Sequence, residues 1–513
     1  MQPEDTTARR TAFEIRGFRD TIANVIQQTQ DLYRADSIPW VLGYSGGKDS
    51  TASLSLIWTS ISQLAPEHRQ KPIYVISTDT LVENPVVSSW VTQSLDRMQK
   101  AATEQELPIF PNRLLPELND RYWVNLLGRG YPAPRPKFRW CTSRLKINPS
   151  NAFIKAVVSD KGEAILVLGT RKAESSARRQ SIERYEGAST RELLSRNGNS
   201  QLDRVWVYTP IVEWTNDDVW QYLMQVKNPW NHDNKSLLGM YQGATADGEC
   251  PLVLDTSTPS CGDSRFGCYV CTLVDKDKSM QAMIRNDQEK EWMLPLSDFR
   301  NQFLDIKDDR RHRDFRRLNG SLMLFHGQLV HGPYLQEYRE LLVAELLKAE
   351  AKAREMAPPE LKDFQLISLE ELEEIRRIWV LDKHEFEDNL PGIYEKATGH
   401  SYPYAPIEQA NPLKPEDLQL LRETCAEQGD QGGVQFRLMR ELLDIEESYR
   451  HASRRAGLYD QIENAIKNGG FANEEEALAY ALAQQPSDPL YVGEESDTYD
   501  PIANAGPEEL SLQ

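Results

Sequence analysis

The chain lacks the features that would place it in a membrane or among secreted, disulfide-stapled proteins. No apolar run approaches the ~20 residues needed to span a bilayer. The first ten residues, Met1 to Arg10, are polar and have no apolar signal-peptide core. A cytoplasmic protein without a membrane partner is therefore expected. Positive charge is also in short supply: the formal net charge is −19, and Phe471 to Gln513 hold ten Asp or Glu and no Lys or Arg. That balance excludes an indiscriminately basic nucleic-acid binder, because phosphate binding needs local positive charge. The charge is uneven, however, so DNA stays open as a partner. Cysteine is scarce too, with six in 513 residues, yet Cys250, Cys261, Cys268 and Cys271 fall within 22 residues. In a long cytosolic chain such a cluster reads as metal or redox chemistry rather than a disulfide framework.

What is present supports a folded, multi-domain protein. Hydrophobic content is 40% and charged content 27%, enough for a proper core. A length of 513 residues implies two or three domains. An amphipathic helix is predicted from Thr11 to Tyr33, followed by a short buried strand from Pro39 to Tyr44. Thr51 to Leu64 reads as a helix, Ile73 to Ser77 as a strand, Pro85 to Leu107 as a helix and Ala164 to Leu168 as a strand. Strands alternating with helices predict an α/β fold with a parallel sheet. This domain is assigned to residues 1–230, a cysteine-cluster subdomain to 231–300, a helical C-terminal extension to 301–485 and an acidic tail to 486–513. In the extension, Leu335, Tyr338, Leu342 and Leu346 share a helical face. Ser368 and Glu371 form a capping-box pattern, with Ile367 as its staple. Further helices are predicted over Leu418 to Cys425, Phe436 to Tyr449 and Ala456 to Lys467.

The sharpest motif is Ser45-Gly46-Gly47-Lys48-Asp49-Ser50. A glycine loop between a strand and a helix presents backbone N–H groups and a helix N-terminus to phosphate. Gly46 and Gly47 allow close approach, Ser45 and Ser50 offer hydroxyls, and Lys48 a point charge. It is not a Walker A loop, since Leu42 occupies the first glycine position and Asp49 follows the lysine. Four thiols at Cys250, Cys261, Cys268 and Cys271 suit either zinc or an iron–sulfur cluster. Spacing alone does not choose between them. Cys141 lies outside this cluster, between Arg139 and Arg144, where positive charge would favour the thiolate. It is a candidate sulfur carrier, or else a packing residue. Cys425 sits in a helical pattern and reads as packing. Arg135, Lys137, Arg139, Arg144 and Lys146 form a basic run with no intervening acid, and Arg310, Arg311, Arg313, Arg316 and Arg317 form a second basic patch.

The loop resembles that of PP-loop ATP pyrophosphatases. Three further segments resemble phosphoadenylylsulfate (PAPS) reductases: Arg139 to Lys146, Gly169-Thr170-Arg171-Lys172-Ala173-Glu174-Ser175 with Arg178, and Pro210 to Thr215 with Asp218-Val219-Trp220. This resemblance implies that Ser45 to Ser50, Asp79, Gly169 and Arg171 bind ATP, that Lys48 and Asp49 act in its cleavage to AMP and pyrophosphate, and that Asp49 helps position Mg2+. Joined to the four cysteines and the helical extension, it is similar to the DndC family of DNA phosphorothioation enzymes, with the Ssp sulfurtransferases as close competitors. That likeness implies a [4Fe–4S] cluster on Cys250, Cys261, Cys268 and Cys271, a catalytic role for Cys141, DNA as substrate, a cysteine desulfurase as sulfur donor, and partners of the DndD and DndE type. The lone chain is then expected to bind DNA weakly. Competing readings are a PAPS or adenylylsulfate reductase, a tRNA-thiolating PP-loop enzyme, and a non-catalytic nucleotide-sensing scaffold.

Overall fold

The computed structural model describes residues 11–484 apart from 187–190, 192, 200, 245–265, 362–363, 384, 386, 406, 408–414, 431–432, 451–454 and 472. The acidic tail and Cys250 and Cys261 therefore lie outside the described residues. The chain forms two compact units: residues 1–117, 141–271 and 276–291 make the first, and 118–140, 272–275 and 292–513 the second. These borders differ from the expected division at 230 and 300. Residues 231–271 and 276–291 group with the α/β unit; Asn234, for example, bonds to the Leu223 and Val226 carbonyls. Residues 118–140 join the helical unit because the Trp123 indole donates to the Leu366 carbonyl and Trp379 to that of Leu127. Among the described residues no helix is long and apolar enough to cross a membrane.

The first unit opens with α1 (Ala12–Arg16) and α2 (Phe18–Arg34). The single helix expected here is split at Gly17, whose φ of +81° suits glycine. It continues with β1 (Trp40–Gly43), α3 (Lys48–Ser62), β2 (Ile73–Thr78), α4 (Pro85–Glu104) and β3 (Ile109–Leu114). After the single turn α5 (Trp140–Thr142) come α6 (Asn148–Lys161), β4 (Ala164–Val167), α7 (Ser176–Glu186), β5 (Ser195–Arg196) and β6 (Val205–Tyr208). Helices α8 (Asn216–Gln225), α9 (Asn234–Gly243) and α10 (Lys278–Asn286) complete it.

The sheet runs β3-β2-β1-β4-β6-β5, parallel except for the β5–β6 pair. Trp40 is in register with Ile73 on one side and Ile165 on the other. Strands β1, β2 and β4 are buried on both faces: Trp40, Leu42 and Val75 face a core shared with α2, α3 and α4, while Val41 and Ile76 face one that includes Ile154 of α6. The chain steps outward from β1 to β2 and β3, then returns to the other side of β1 as β4. The crevice beyond the carboxyl ends of β1 and β4 is thus the topological switch point, where such sheets bind ligands.

The second unit is mostly helical. It contains α11 (Leu294–Phe299), a small β7–β8 hairpin (Leu324–Phe325 and Gln328–Leu329), α12 (Gln336–Met356), α13 (Leu369–Arg377) and α14 (Leu390–Thr398). It ends with α15 (Pro415–Glu427), α16 (Val434–Arg450), α17 (Leu458–Gly469) and α18 (Glu474–Ala483). The capping box expected at Ser368 and Glu371 forms, with Ile367 buried beside it. On the face expected from Leu335, the residues Tyr338, Leu342 and Leu346 are buried, whereas Leu335 itself precedes the helix and is exposed.

Asp218 ties two helix starts of the first unit together. Its carboxylate accepts from Thr215 N and Oγ1 at 2.8 Å each, closing the capping box of α8, and from Ala12 N and Phe13 N at 3.1 and 3.3 Å in the first turn of α1. The residue is 1% exposed. Removing it leaves several amide donors unpaired, so Asp218→Ala is expected to cost about 3 kcal/mol. Urea unfolding measures this; a loss under about 1 kcal/mol would contradict the role.

Candidate functional site

The loop after β1 is shaped by contacts that reach it from α4 and α9. Gly46 adopts φ +74°, and a Cβ there would lie 2.4 Å from Val91 Cγ2. The Trp90 indole donates to the Gly46 carbonyl at 3.1 Å. Ser50 Oγ donates to the Gly47 carbonyl at 3.0 Å and accepts from Ser45 N at 3.3 Å. Gly47 sits at the N-cap of α3 with no side-chain cap, so the first-turn N–H groups point into the loop. Such a terminus attracts anions through its unpaired donors and the helix dipole. Lys48 N donates to the Tyr241 hydroxyl at 3.4 Å, and the Lys48 ammonium lies 5.6 Å from the Tyr241 ring. Tyr241 packs in turn against Trp220 and Phe266.

The segment after β4 closes the other side. A Cβ on Gly169 would lie 2.8 Å from the Asp49 carbonyl oxygen, so only glycine allows this approach. Arg171 is 4% exposed; its Nε donates to Asp49 Oδ1 at 2.7 Å. Glu174 accepts from Arg171 N at 2.8 Å, which fixes the turn. Lys48 Nζ takes the second Asp49 oxygen at 3.1 Å. Both oxygens of Asp49 are thus held by cations, and among the described residues no three His, Cys, Asp or Glu side chains are grouped to hold a metal. The arrangement does not fit Mg2+ on Asp49, and no step is assigned to that ion. The structure brings Ser45, Gly46, Gly47, Lys48, Asp49, Ser50, Gly169 and Arg171 together at the switch point. Asp79 stands past the end of β2, its carboxylate engaged by Arg113 and by Leu81 N.

A second cluster belongs to the same unit. Cys268 and Cys271 share a turn, with Cys271 N donating to the Cys268 carbonyl at 3.0 Å. Residues 267–269 pair with the segment after β2: Tyr269 N donates to the Val82 carbonyl and Asn84 N to that of Gly267. Thr80 Oγ1 is 3.5 Å from Cys268 Sγ. Cys141, expected to lie outside the cluster, comes within electrostatic reach of Cys271. Burial pushes its thiol up from the ordinary value, Cys271 adds to this, and Lys146 opposes it weakly. The expectation of a charge-activated thiolate is thereby corrected: loss of solvent outweighs the nearby cations. Burial likewise pushes Cys268 up to about 11. Burial opposes the Lys146 ammonium, but Cys268, Glu83 and Cys141 outweigh it and raise its pKa. A metal takes such thiols as thiolates, but of the four expected ligands only Cys268 and Cys271 are among the described residues, and no three donors are grouped there to hold a metal.

The two basic runs prove to be largely tied up. Arg135 and Arg313 both reach Asp309, at 2.6 and 3.4 Å, and Asp309 is 2% exposed. Arg310 pairs with Asp308 and Arg316 with Asp314, and Arg317 is buried. The first run is also divided, since residues 135–140 fall in the second unit and 141–146 in the first. Sequence reading missed Trp90, Val91 and Tyr241, which shape the loop, and the Thr80–Glu83 segment beside the thiols. None of these lies in a motif. Only the aromatic content of α4 and α9 hinted at them.

This combination defines an α/β protein with a phosphate loop of the PP-loop type at its switch point. Residues 39–273 match the model of the phosphoadenosine phosphosulfate reductase domain, and this part of the chain is a PAPS reductase-like domain. An uncharacterized protein of Methanocaldococcus jannaschii is 25% identical over 208 residues, or 40% of this chain and 36% of that protein. The match thus spans little more than a third of that relative's length. Among solved structures, the U34-tRNA thiolase NcsA of Methanococcus maripaludis with its [4Fe-4S] cluster is 13% identical, with a TM-score of 0.24, covering 56% of this chain and 82% of that one. The Candida glabrata FMN adenylyltransferase in complex with FAD and inorganic pyrophosphate is 11% identical, with a TM-score of 0.24 and coverage of 43% and 61%.

His232 reports on the loop through Trp90. The two rings stack at 3.6 Å, and burial, then Arg97, pushes the imidazole down from 6.5 to about 4. Its folded pKa is below its unfolded one, so the neutral form contributes stability above pH 6.5 that is lost as pH falls toward 4. Between those values the wild type is expected to lose about 3 kcal/mol more than His232→Gln. Parallel urea titrations across that window measure it; identical pH slopes would refute it.

Proposed function

We propose that this chain is an ATP-dependent sulfurtransferase of DNA phosphorothioate modification. A DNA backbone phosphate oxygen attacks the α-phosphorus of ATP and pyrophosphate leaves; the terminal sulfur of a persulfide charged by a cysteine desulfurase then attacks the activated DNA phosphorus, AMP leaves with its bridging oxygen, and a thiol reductant cleaves the resulting S–S bond to leave sulfur on the phosphorus. One observation carries the reading: a single segment serves both the phosphate loop and the thiols. Thr80 and Glu83 meet Cys268 and Lys146, and Trp90 and Val91, just beyond, hold Gly46. A protein that only reduced a small sulfonucleotide has no need of an intact pyrophosphate cradle, whereas one that activates a phosphate and delivers sulfur to it needs both. In this reading the loop amides, Ser45, Ser50 and Lys48 bind the departing pyrophosphate, and Arg171 holds Asp49 in place. A [4Fe–4S] cluster, when bound, supplies sulfur or redox chemistry on Cys268 and Cys271, with its remaining ligands among Cys141, Cys250 and Cys261. Proteins of the DndD and DndE type would present the DNA.

Lys48→Ala is expected to lower pyrophosphate release from ATP at least about 100-fold with little change in thermal stability. Wild-type turnover in that variant would sink the assignment. Mass spectrometry of DNA and tRNA from cells carrying the system gives the decisive comparison: sulfur in tRNA alone would replace this reading by tRNA thiolation.

The thiols give a second test. Protein purified without oxygen is expected to be brown, with about four iron per chain. Cys141 is within electrostatic reach of Cys271; in this reading it serves as a ligand, so Cys141→Ser should lose iron along with DNA sulfur. Iron retained while DNA sulfur disappears would make Cys141 the sulfur carrier instead.

A further inference from the structure

The first unit holds a cleft that joins residues of the Gly169–Ser175 and Pro210–Thr215 segments to cations of α1 and of residues 191–196 that lie in no motif. It has a volume of about 1280 Å3 and lies over the β4–β6 side of the sheet, between α1, α2, α7 and residues 193–198. Five cations line it, Arg16, Lys172, Arg178, Arg191 and Arg196, against one carboxylate, Glu213. Lys172 is paired with Glu213 at 2.5 Å, and Arg178 lies 3.4 Å from Glu174. Arg191 lies 3.9 Å from Asp36 and 3.7 Å from Glu163, with its guanidinium 4.6 Å from the Trp206 ring. Among the described residues no carboxylate pairs with Arg16 or Arg196, and both are exposed. In a chain of net charge −19, such a concentration of positive charge is a focused field, not a general property of the surface. Asn24 and Gln28 of α2 and Ser181 of α7 add neutral hydrogen-bonding groups to the walls.

Leu168 and Thr170 are among its lining residues. Thr170 lies between Gly169, which touches the Asp49 backbone, and Arg171, which holds the Asp49 side chain. One wall of the cleft is therefore continuous in sequence with the turn that contacts the phosphate loop. Its volume exceeds the roughly 300–1000 Å3 of a small-molecule pocket. It is nevertheless too small to enclose a duplex, one turn of which is about 34 Å long. We propose that it seats a short stretch of single-stranded DNA by its backbone phosphates, with the phosphodiester to be modified at the Thr170 end. This rests on the function proposed above and adds the strand's path and the state of the DNA.

The test uses the full chain and a labelled 12-nucleotide single-stranded DNA, read by fluorescence anisotropy between 50 and 200 mM salt. Contacts to three or four phosphates predict a slope of log K against log salt of about −2 to −3. Arg16→Glu and Arg196→Glu should each weaken binding about tenfold at 50 mM salt. The corresponding Arg→Ala changes should each flatten the slope by about 0.7. ATP affinity, measured by displacement of a labelled nucleotide, should be unchanged in all four variants. DNA binding that is insensitive to both sites would overturn the cleft while leaving the proposed function standing. Loss of ATP affinity in step with DNA affinity would make the cleft part of the nucleotide site and also overturn it. Preference for an RNA 12-mer, lost in the same variants, would overturn the DNA assignment and the phosphorothioation reading together. No binding even at 50 mM salt would reject the proposal.

Discussion

The contact on which the site depends is the buried pair between Arg171 and Asp49. It crosses the switch point of the sheet, joining the turn after β4 to the first turn of α3. A guanidinium 4% exposed is tolerable only because the carboxylate, the Trp214 carbonyl and the turn stabilised by Glu174 surround it. Breaking such a pair leaves an uncompensated charge inside the protein. Asp49 itself stays partly exposed, with Lys48 on its other oxygen. The open helix N-terminus, the lysine and the arginine therefore converge on one crevice before any ligand arrives. Preorganised donors of this kind act on a developing charge without having to rearrange.

Around this contact the structure joins two chemistries through one short stretch of chain. The segment leaving β2 first meets the thiols and then, as α4, supports the glycine loop. Neither chemistry is carried by a separate module. The thiols sit in a place where burial keeps them protonated and Lys146 is the nearby cation, so the local field favours whatever converts them to thiolates. The helical unit contributes an internally neutralised network centred on Asp309, which explains why its arginine-rich stretch is less of a charged surface than its composition implies.

Much of the fold could be read from the sequence. Strands β1, β2 and β4 are apolar runs because both faces are buried, and glycine or threonine follows where the chain turns into the crevice. β3 was not legible: Ile109-Phe110-Pro111-Asn112-Arg113-Leu114 contains proline and arginine, which an edge strand tolerates and a central one does not. β5 has two residues and too little pattern to detect. The break at Gly17 was hidden because the apolar spacing continues across it. At the site, the loop and the Gly169-Thr170-Arg171 turn were legible as motifs, but their pairing was not. Nor was the approach of Cys141 to Cys271, which depends on how distant segments fold onto the strand ends. The acids that neutralise Arg310 and Arg316 stand two residues before them, a spacing that helix periodicity does not bring together and that lies here in no strand.

The contact between Tyr241 and Phe266 has a consequence for how this protein can vary. The two rings lie 4.6 Å apart and pin together both ends of the stretch that carries Cys250 and Cys261. Tyr241 also accepts from Lys48 N in the phosphate loop, and Phe266 stands two residues before Cys268. An aromatic pair of this kind contributes about 0.5–1.5 kcal/mol beyond its buried area. A change that shrinks either ring therefore loosens the phosphate loop and the thiol turn together.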